Sequence, residues 1–259
     1  MDRLGPQPRG APLNASAADQ QRLLELQGRD SRLAQLAHRR SHLPEEGELA
    51  EIATELQRAD GELVDLQTQR SDIAREAGKL ERDIEQVRAR AQRDQERLDS
   101  GAIGSAKELE SLQHEIASLQ RRQGDLEDAE LEILQQVEDL DHAVTALESR
   151  RAELLMRQAE TTQRRDEELA RIGEEEAEVA VERDALAAQV PADLLAFYDK
   201  LRGQLGGVAV AALKQRRCDG CRLELNAIEV GQFRDAPEDA VLRCEECRRI
   251  VVRTAESGL

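Results

Sequence analysis

The chain has 259 residues, 35% of them charged, only 1% aromatic, and a formal net charge of −17. So few aromatic side chains cannot fill one large globular core, whereas an Ala/Leu/Glu/Arg/Gln-rich chain of this kind suits extended helix. Acids and bases balance from Pro191 onward, so the surplus of acid belongs to the residues before it. That acidic part repels phosphate backbones and anionic lipid surfaces.

No apolar run reaches the length that a membrane span needs. Residues 1–12 lack the apolar stretch of a secretion signal. The expectation is a cytoplasmic protein with no membrane association. Paired Cys-x-x-Cys units in a reducing compartment point to metal ligation rather than to disulfides.

Residues 1–16, rich in Pro, Gly and Ala, read as a disordered N-terminal tail, with Asn14 or Ser16 able to cap the helix that follows. Residues 17–190 read as an antiparallel coiled-coil hairpin with its tip near 100–105. From Leu49 to Leu98 a 3–4 spacing of apolar residues runs without a slip, interrupted only by Arg70 and Asp94. Upstream, Leu26, Leu33, Leu36 and Leu43 follow another phase, and the slip falls at Pro44, where a helix must kink or break. Gly101 suits a helix C-cap, and Ser105 with Glu108 suits a capping box opening the next helix. The second arm carries Leu109, Leu112, Ile116, Leu119, Leu126, Ile133, Val137, Leu140, Val144 and Leu147, with Gln123 and Glu130 as polar interruptions. Its phase shifts between Leu154 and Leu169 before Pro191 ends the helix.

The two seams test each other. If the tip folds the chain back, Leu98 stands opposite Leu109, Ala91 opposite Ile116 and Leu66 opposite Leu140. The same register sets Pro44 against the phase shift in the second arm, and the start of the first helix against the end of the second. A parallel dimer would require neither match. The alternative is a bundle in which the arms fold over again at Pro44. The polar seam residues, Arg151 among them, read as long side chains leaving a two-helix seam for solvent. The four histidines, His38, His42, His114 and His142, read as solvent-facing.

Residues 191–213 read as a short amphipathic helix and connector. Leu194, Leu195, Phe197, Tyr198 and Leu201 either pack the C-terminal module onto the base of the coil or form a partner-binding patch, and packing is favoured.

Residues 214–259 hold the most specific local signal: Cys218-Asp219-Gly220-Cys221 and, after 22 intervening residues, Cys244-Glu245-Glu246-Cys247. Two such units place four thiolates around one tetrahedral ion. Zn²⁺ suits them, and a four-cysteine site leaves no open position for catalytic water. One structural zinc ion is therefore expected, in a small β zinc ribbon that depends on it to fold. A redox Cys-x-x-Cys is the alternative, but it belongs to a strand–helix junction that this segment lacks. Around the cysteines lie Lys214, Arg216, Arg217, Arg222, Arg243, Arg248, Arg249 and Arg253, a candidate contact surface for nucleic acid or a protein partner. Interleaved acids and the lack of stacking aromatics weigh against nucleic acid. No phosphate-binding loop, nucleophile elbow or HExxH motif is present, which leaves no small-molecule substrate or enzyme chemistry to assign.

Several segments converge on one family. Leu23-Leu24-Glu25-Leu26-Gln27, His38-Arg39-Arg40, Leu43-Pro44-Glu45, the run from Lys107 to Ile116, and Cys244-Glu245-Glu246-Cys247-Arg248-Arg249-Ile250 together resemble the bacterial C4-type zinc-ribbon proteins with an N-terminal coiled-coil hairpin. The resemblance implies a mainly α fold, a long antiparallel hairpin with a small C-terminal β zinc ribbon, and no enzymatic activity. It also implies an adaptor or nucleic-acid-binding role linked to transcription or secretion machinery. The family often has Gly directly after the last cysteine; here Arg248 stands there, at a position where positive φ favours Gly.

Overall fold

The structure is a computed structural model that describes residues 13–101 and 103–259. The helices are α1 (Ala17–Ser41), α2 (Pro44–Asp99), α3 (Ala106–Ala187), α4 (Ala192–Gln204) and α5 (Ala227–Asp235). The strands are β1 (Val210–Lys214), β2 (Arg217–Cys218) and β3 (Ile250–Val252). A long coiled-coil hairpin with a small C-terminal sheet is therefore the fold. No helix is long and apolar enough to cross a membrane among the described residues. Contacts divide the chain into two compact units, one of them Glu45–Gln163 and the other the flanking segments that end at Pro44 and resume at Arg164.

In the Glu45–Gln163 unit, α2 and the first part of α3 run antiparallel. Arg97 pairs with Glu108 at 2.7 Å, Arg88 with Glu127 at 3.2 Å and Arg150 with Glu55 at 2.9 Å, so partners climb one helix as they descend the other. Ile52, Leu56 and Leu154 form one buried cluster, and Ala59, Leu63, Ile84, Leu112, Ile116 and Leu126 are buried along the same seam. Of the polar seam residues, Arg70 reaches Asp141 and Arg151 reaches Asp60 across the arms. Their stems cover the seam while their charges stay wet. Pro44 occupies the first turn of α2, where its missing N–H costs nothing.

The tip keeps one expected cap and modifies the other. Gly101 has φ +66 and closes α2. Ser105 Oγ accepts from the Glu108 amide at 3.3 Å, but the Glu108 carboxylate turns to Arg97 instead of completing the capping box. A full positive charge is a stronger partner than a neutral amide. Ala102 of the tip lies outside the described residues.

In the other unit, α1 packs on the C-terminal stretch of α3 through Leu36, Leu43, Ile172 and Val179. Arg29 pairs with Glu182, Arg32 with Glu175 and Arg40 with Glu176. Within this unit, too, α1 runs antiparallel to α3. Ser16, not Asn14, caps α1, accepting from the Asp19 amide at 3.1 Å. The tail expected over residues 1–16 falls outside the described residues up to Pro12. Beyond that it is ordered: Asn14 bridges Ala240, the Ala15 amide donates to the Asp239 carbonyl at 2.8 Å, and Ala15 is buried.

The second core of this unit joins Leu23 and Leu26 of α1, Leu194, Tyr198 and Leu201 of α4, and Val210, Ile250 and Val252 of the sheet. The apolar side chains of residues 191–202 thus pack the C-terminal module onto the coil. The sheet order is β2-β1-β3, with β1 antiparallel to β2 and parallel to β3. Of the three strand-like segments in the sequence, Ile250–Val252 forms a strand. Leu223–Leu225 and Val241–Arg243 contribute only the isolated bridges Arg217↔Glu224 and Arg243↔Ile250. The helical turn expected from Asn226 becomes α5, which opens on a full Asn226–Glu229 capping box.

Candidate metal centre

Each Cys-x-x-Cys pair sits in a tight turn, and the two turns are built alike. In the first, the Arg222 amide donates to the Cys218 carbonyl at 2.7 Å and the Cys218 amide to the Leu223 carbonyl at 3.0 Å. In the second, the Arg248 amide donates to the Cys244 carbonyl and the Cys244 amide to the Arg249 carbonyl, both at 3.0 Å. The residue after each pair, Arg222 or Arg248, has φ +63. The sequence marked this backbone demand at Arg248, and Arg222 meets the same one.

The turns bring the four sulfurs together. All four Sγ atoms lie within 4.8 Å of one another, with Cys218 to Cys247 at 3.8 Å and Cys221 to Cys244 at 3.9 Å. Cys218 and Cys244 are buried, and Cys221 and Cys247 are half-buried. Such a cluster can hold one metal ion, and among the described residues it is the one group of side chains that can.

The local electrostatics favour thiolates only in part. Burial pushes the Cys218 thiol up to about 12, against hydrogen bonds from the Cys221 and Gly220 amides that favour the thiolate. Burial likewise raises Cys244, against the Cys247 and Glu246 amides. At Cys247 burial also works upward, but the Arg249 amide and hydrogen bonds with Cys244, Arg249 and Cys218 outweigh it and hold the thiol below its usual range. Amides aimed at sulfur are prepared for negative charge, and a cation among the sulfurs would complete the balance.

The supporting shell is made of residues with visible tasks. Gly220 leaves room for Arg249: a Cβ there would meet the Arg249 Cδ at 2.7 Å and the Ala211 Cβ at 3.0 Å. Arg249 donates to the carbonyls of Val208 at 2.9 Å and Gly220 at 3.1 Å. Buried Glu229 serves both α5 and the second turn, accepting from the Asn226 amide at 3.1 Å and from the Glu245 amide at 3.3 Å. The Asn-x-x-Glu spacing was the available signal for this residue.

The basic residues separate by task. Arg216 donates to the Gly258 carbonyl at 2.9 Å, and Arg253 to the carbonyls of Phe233 and Ala236 at 3.2 and 2.8 Å. Arg243 lies over the Phe197 ring at 5.7 Å, and Lys214 pairs with Asp219 at 3.3 Å. With Arg249 also engaged, Arg217, Arg222 and Arg248 remain exposed without an ion pair among the described residues. The four histidines are exposed, with His38 and His42 stacked on each other.

Sequence reasoning missed a row of buried polar residues on α1 that holds the module. Gln20 Nε2 donates to the Ala15 carbonyl at 2.9 Å and the Glu238 carbonyl at 3.2 Å. Gln27 Oε1 accepts from the Ala209 amide at 2.7 Å, and its Nε2 donates to the Gly207 carbonyl at 3.1 Å. Asp30, 2% exposed, accepts from the Tyr198 hydroxyl at 2.6 Å, Arg183 at 3.3 Å and Arg202 at 3.4 Å. Burial and then the hydrogen bond to Asp30 push the Tyr198 hydroxyl well above its ordinary value. The seven- and three-residue steps from Gln20 to Gln27 to Asp30 put all three on one face of α1.

The hairpin is also recognisable by comparison. The family model for the CT398-like coiled coil hairpin domain matches residues 26–206. The chain belongs to this family. An uncharacterized protein of Mycobacterium tuberculosis (strain H37Rv) is 38% identical over 245 residues, covering 93% of this chain and 98% of the relative. One of Mycobacterium leprae is 30% identical over 217 residues, covering 84% and 93%. A solved structure from Mycobacterium smegmatis superposes with a TM-score of 0.79 at 33% identity, over 93% of this chain and 100% of that one. The structure of CT398 from Chlamydia trachomatis superposes at 0.64 with 17% identity over 92% and 98%, a likeness of fold alone.

Proposed function

We propose that this chain is a non-enzymatic adaptor in which the four cysteines hold one structural zinc ion and the coil and module together present surfaces to protein partners. The observation that carries the metal assignment is the size of the sulfur cluster. A tetrahedral ion with Zn–S bonds of about 2.3 Å needs sulfurs about 3.8 Å apart, and two pairs stand at 3.8 and 3.9 Å. Cys218, Cys221, Cys244 and Cys247 would be its ligands. The bound ion would supply charge balance and cross-linking, with no coordination position left for substrate.

The adaptor reading rests on how the module is held. Gln20, Gln27 and Asp30 fasten it to α1, so the metal turns are displayed on a fixed base. A second reading, nucleic-acid binding, is favoured by exposed Arg217, Arg222 and Arg248, whose charges are not spent within the protein. It is weakened by the carbonyl-bound roles of Arg216, Arg249 and Arg253.

Affinity purification with and without nuclease, comparing the native chain with Cys244→Ser, tests both. A protein partner that survives nuclease and is lost in Cys244→Ser is the expected result, and it would place the contact on the module. Recovery of RNA or DNA that steepens with falling salt, and is abolished when Arg217, Arg222 and Arg248 become Ala, would replace the adaptor reading with the second one.

A further inference from the structure

The middle of the hairpin has two unlike flanks. On α2 the fully buried seam residues stop at Leu63 and resume at Ile84, and on α3 they stop at Leu126 and resume at Leu154. Between them Leu66, Ile73, Ile133, Val137 and Leu140 are only half-buried. One flank of this stretch opens into a groove of ≈ 430 Å³ lined by Gln69, Asp72, Ile73, Gln136, Asp139 and Leu140. Arg70 and Asp141 each lie one residue beyond a groove residue, a rotation of about 100° that carries them to the other flank. There Arg70 bridges to Asp141. Over this stretch one flank carries that cross-arm ion pair; the other exposes an apolar floor.

The groove flank is also acidic, with Asp72 alone of its carboxylates paired, to Arg75. No Lys or Arg lies between Arg122 and Arg150, a stretch with nine Asp or Glu. Asp65 and Glu132 stand one turn before Gln69 and Gln136, and Glu76 one turn after Asp72, so they extend the same rim. All three are exposed and make no ion pair among the described residues.

We propose that this flank is a docking groove for a cationic amphipathic helix of a partner protein. The proposal rests on the adaptor reading and specifies its partner. A third helix laid along two antiparallel helices seats apolar side chains on Ile73 and Leu140 in the helix-in-groove mode. Its Lys and Arg residues meet Asp65, Glu76, Glu132 and Asp139, none of which has an ion pair among the described residues, Asp139 accepting from the Gln135 side-chain amide at 3.1 Å. A second copy of this chain would bring the same carboxylates and be repelled, and nucleic acid would be repelled likewise.

The test uses the full-length protein and a labelled synthetic helix of about 20 residues with leucines at i, i+3, i+4 and i+7 between Lys and Arg. A matched peptide with Glu in place of every Lys and Arg is the control, and binding is read by fluorescence anisotropy. The cationic peptide is expected to bind and the acidic one not. Glu132→Lys with Asp139→Lys should weaken binding about tenfold or more, whereas Glu138→Lys, turned away from the groove, should change it by less than about twofold. Leu140→Gln should weaken it too, with circular dichroism confirming that the hairpin remains helical. The proposal is overturned if the native chain ignores the cationic peptide, if Glu138→Lys weakens binding as much as the groove pair, or if sedimentation shows a dimer that Asp139→Lys dissociates. Recovery of a nuclease-resistant partner decides the adaptor reading separately, so peptide failure alongside such recovery sinks the groove alone.

Discussion

Arg248 shows what one residue concedes to a tight Cys-x-x-Cys turn. Its φ of +63 is a conformation in which a Cβ crowds the backbone, at a cost of about 1 kcal/mol relative to glycine. Arg248→Gly is expected to raise the melting temperature of the C-terminal module, as followed by differential scanning calorimetry, while leaving metal content unchanged. A lower melting temperature would mean that the Arg248 side chain makes a stabilising contact. Asp30 is the opposite case, a charge whose burial is compensated. Its carboxylate has Tyr198, Arg183 and Arg202 as partners. Asp30→Ala leaves those donors facing an apolar gap and should cost about 3–5 kcal/mol in chemical denaturation. Tyr198→Phe removes one hydrogen bond to a charged acceptor and should cost about 1.5–3 kcal/mol.

At the scale of elements, the helices owe their existence to burial along a narrow seam and not to the many exposed ion pairs. Surface pairs such as Arg97–Glu108 contribute about 0.2–1 kcal/mol each. Ile172, 1% exposed between α1 and α3, is a better handle. Ile172→Ala should destabilise by about 2–5 kcal/mol, read as a shift of the denaturant midpoint. Val181→Ala, at a side chain 72% exposed on the same helix, should change stability by less than about 0.5 kcal/mol. Comparable losses at both sites would show that the seam is not where α1 gains its stability. The same seam logic made the hairpin readable, since apolar spacing, Pro44, Gly101 and Ser105 each leave a mark in the sequence. The strands did not read as well. Leu223–Leu225 and Val241–Arg243 have strand-like residues but only isolated bridges, because the two cysteine turns beside them use up the neighbouring backbone groups.

At the scale of the whole molecule, metal and pH should act on the module and spare the coil. Chelation is expected to lower the melting temperature of the C-terminal module while most of the helical circular dichroism signal of α2 and α3 remains, since no cysteine lies in either helix. The pH response should change sign with the metal. In the metal-free protein Cys218 keeps its proton up to about 12, against an ordinary thiol value of 9.0. The folded module then binds more protons than the unfolded chain between those limits, so its stability falls as pH rises through that window. With metal bound the cysteines must be thiolates, and stability falls instead as acid protonates them. Thermal melts of loaded and chelated protein between pH 5 and about 11 would test this. Parallel pH profiles for both forms would show that the cysteines hold no metal.

What the sequence determined by itself were the features with a fixed local period or spacing: the seam of the two arms, their antiparallel register, the tip, and the four cysteines in two equal turns. These follow from helical repeat and ligand geometry, which neighbouring residues impose on one another. The tertiary structure alone decided which polar residues are structural. Gln20, Gln27 and Asp30 look in the sequence like ordinary wet positions on a charged helix. They became buried fasteners only because residues far along the chain, Tyr198, Arg202, Gly207 and Ala209, arrive to pair with them. Likewise Arg216, Arg249 and Arg253 share one composition with Arg217, Arg222 and Arg248. Only the carbonyls that the fold sets beside the first three separate scaffold from free surface, because a hydrogen bond across the chain depends on distance in space, which no spacing in the sequence encodes.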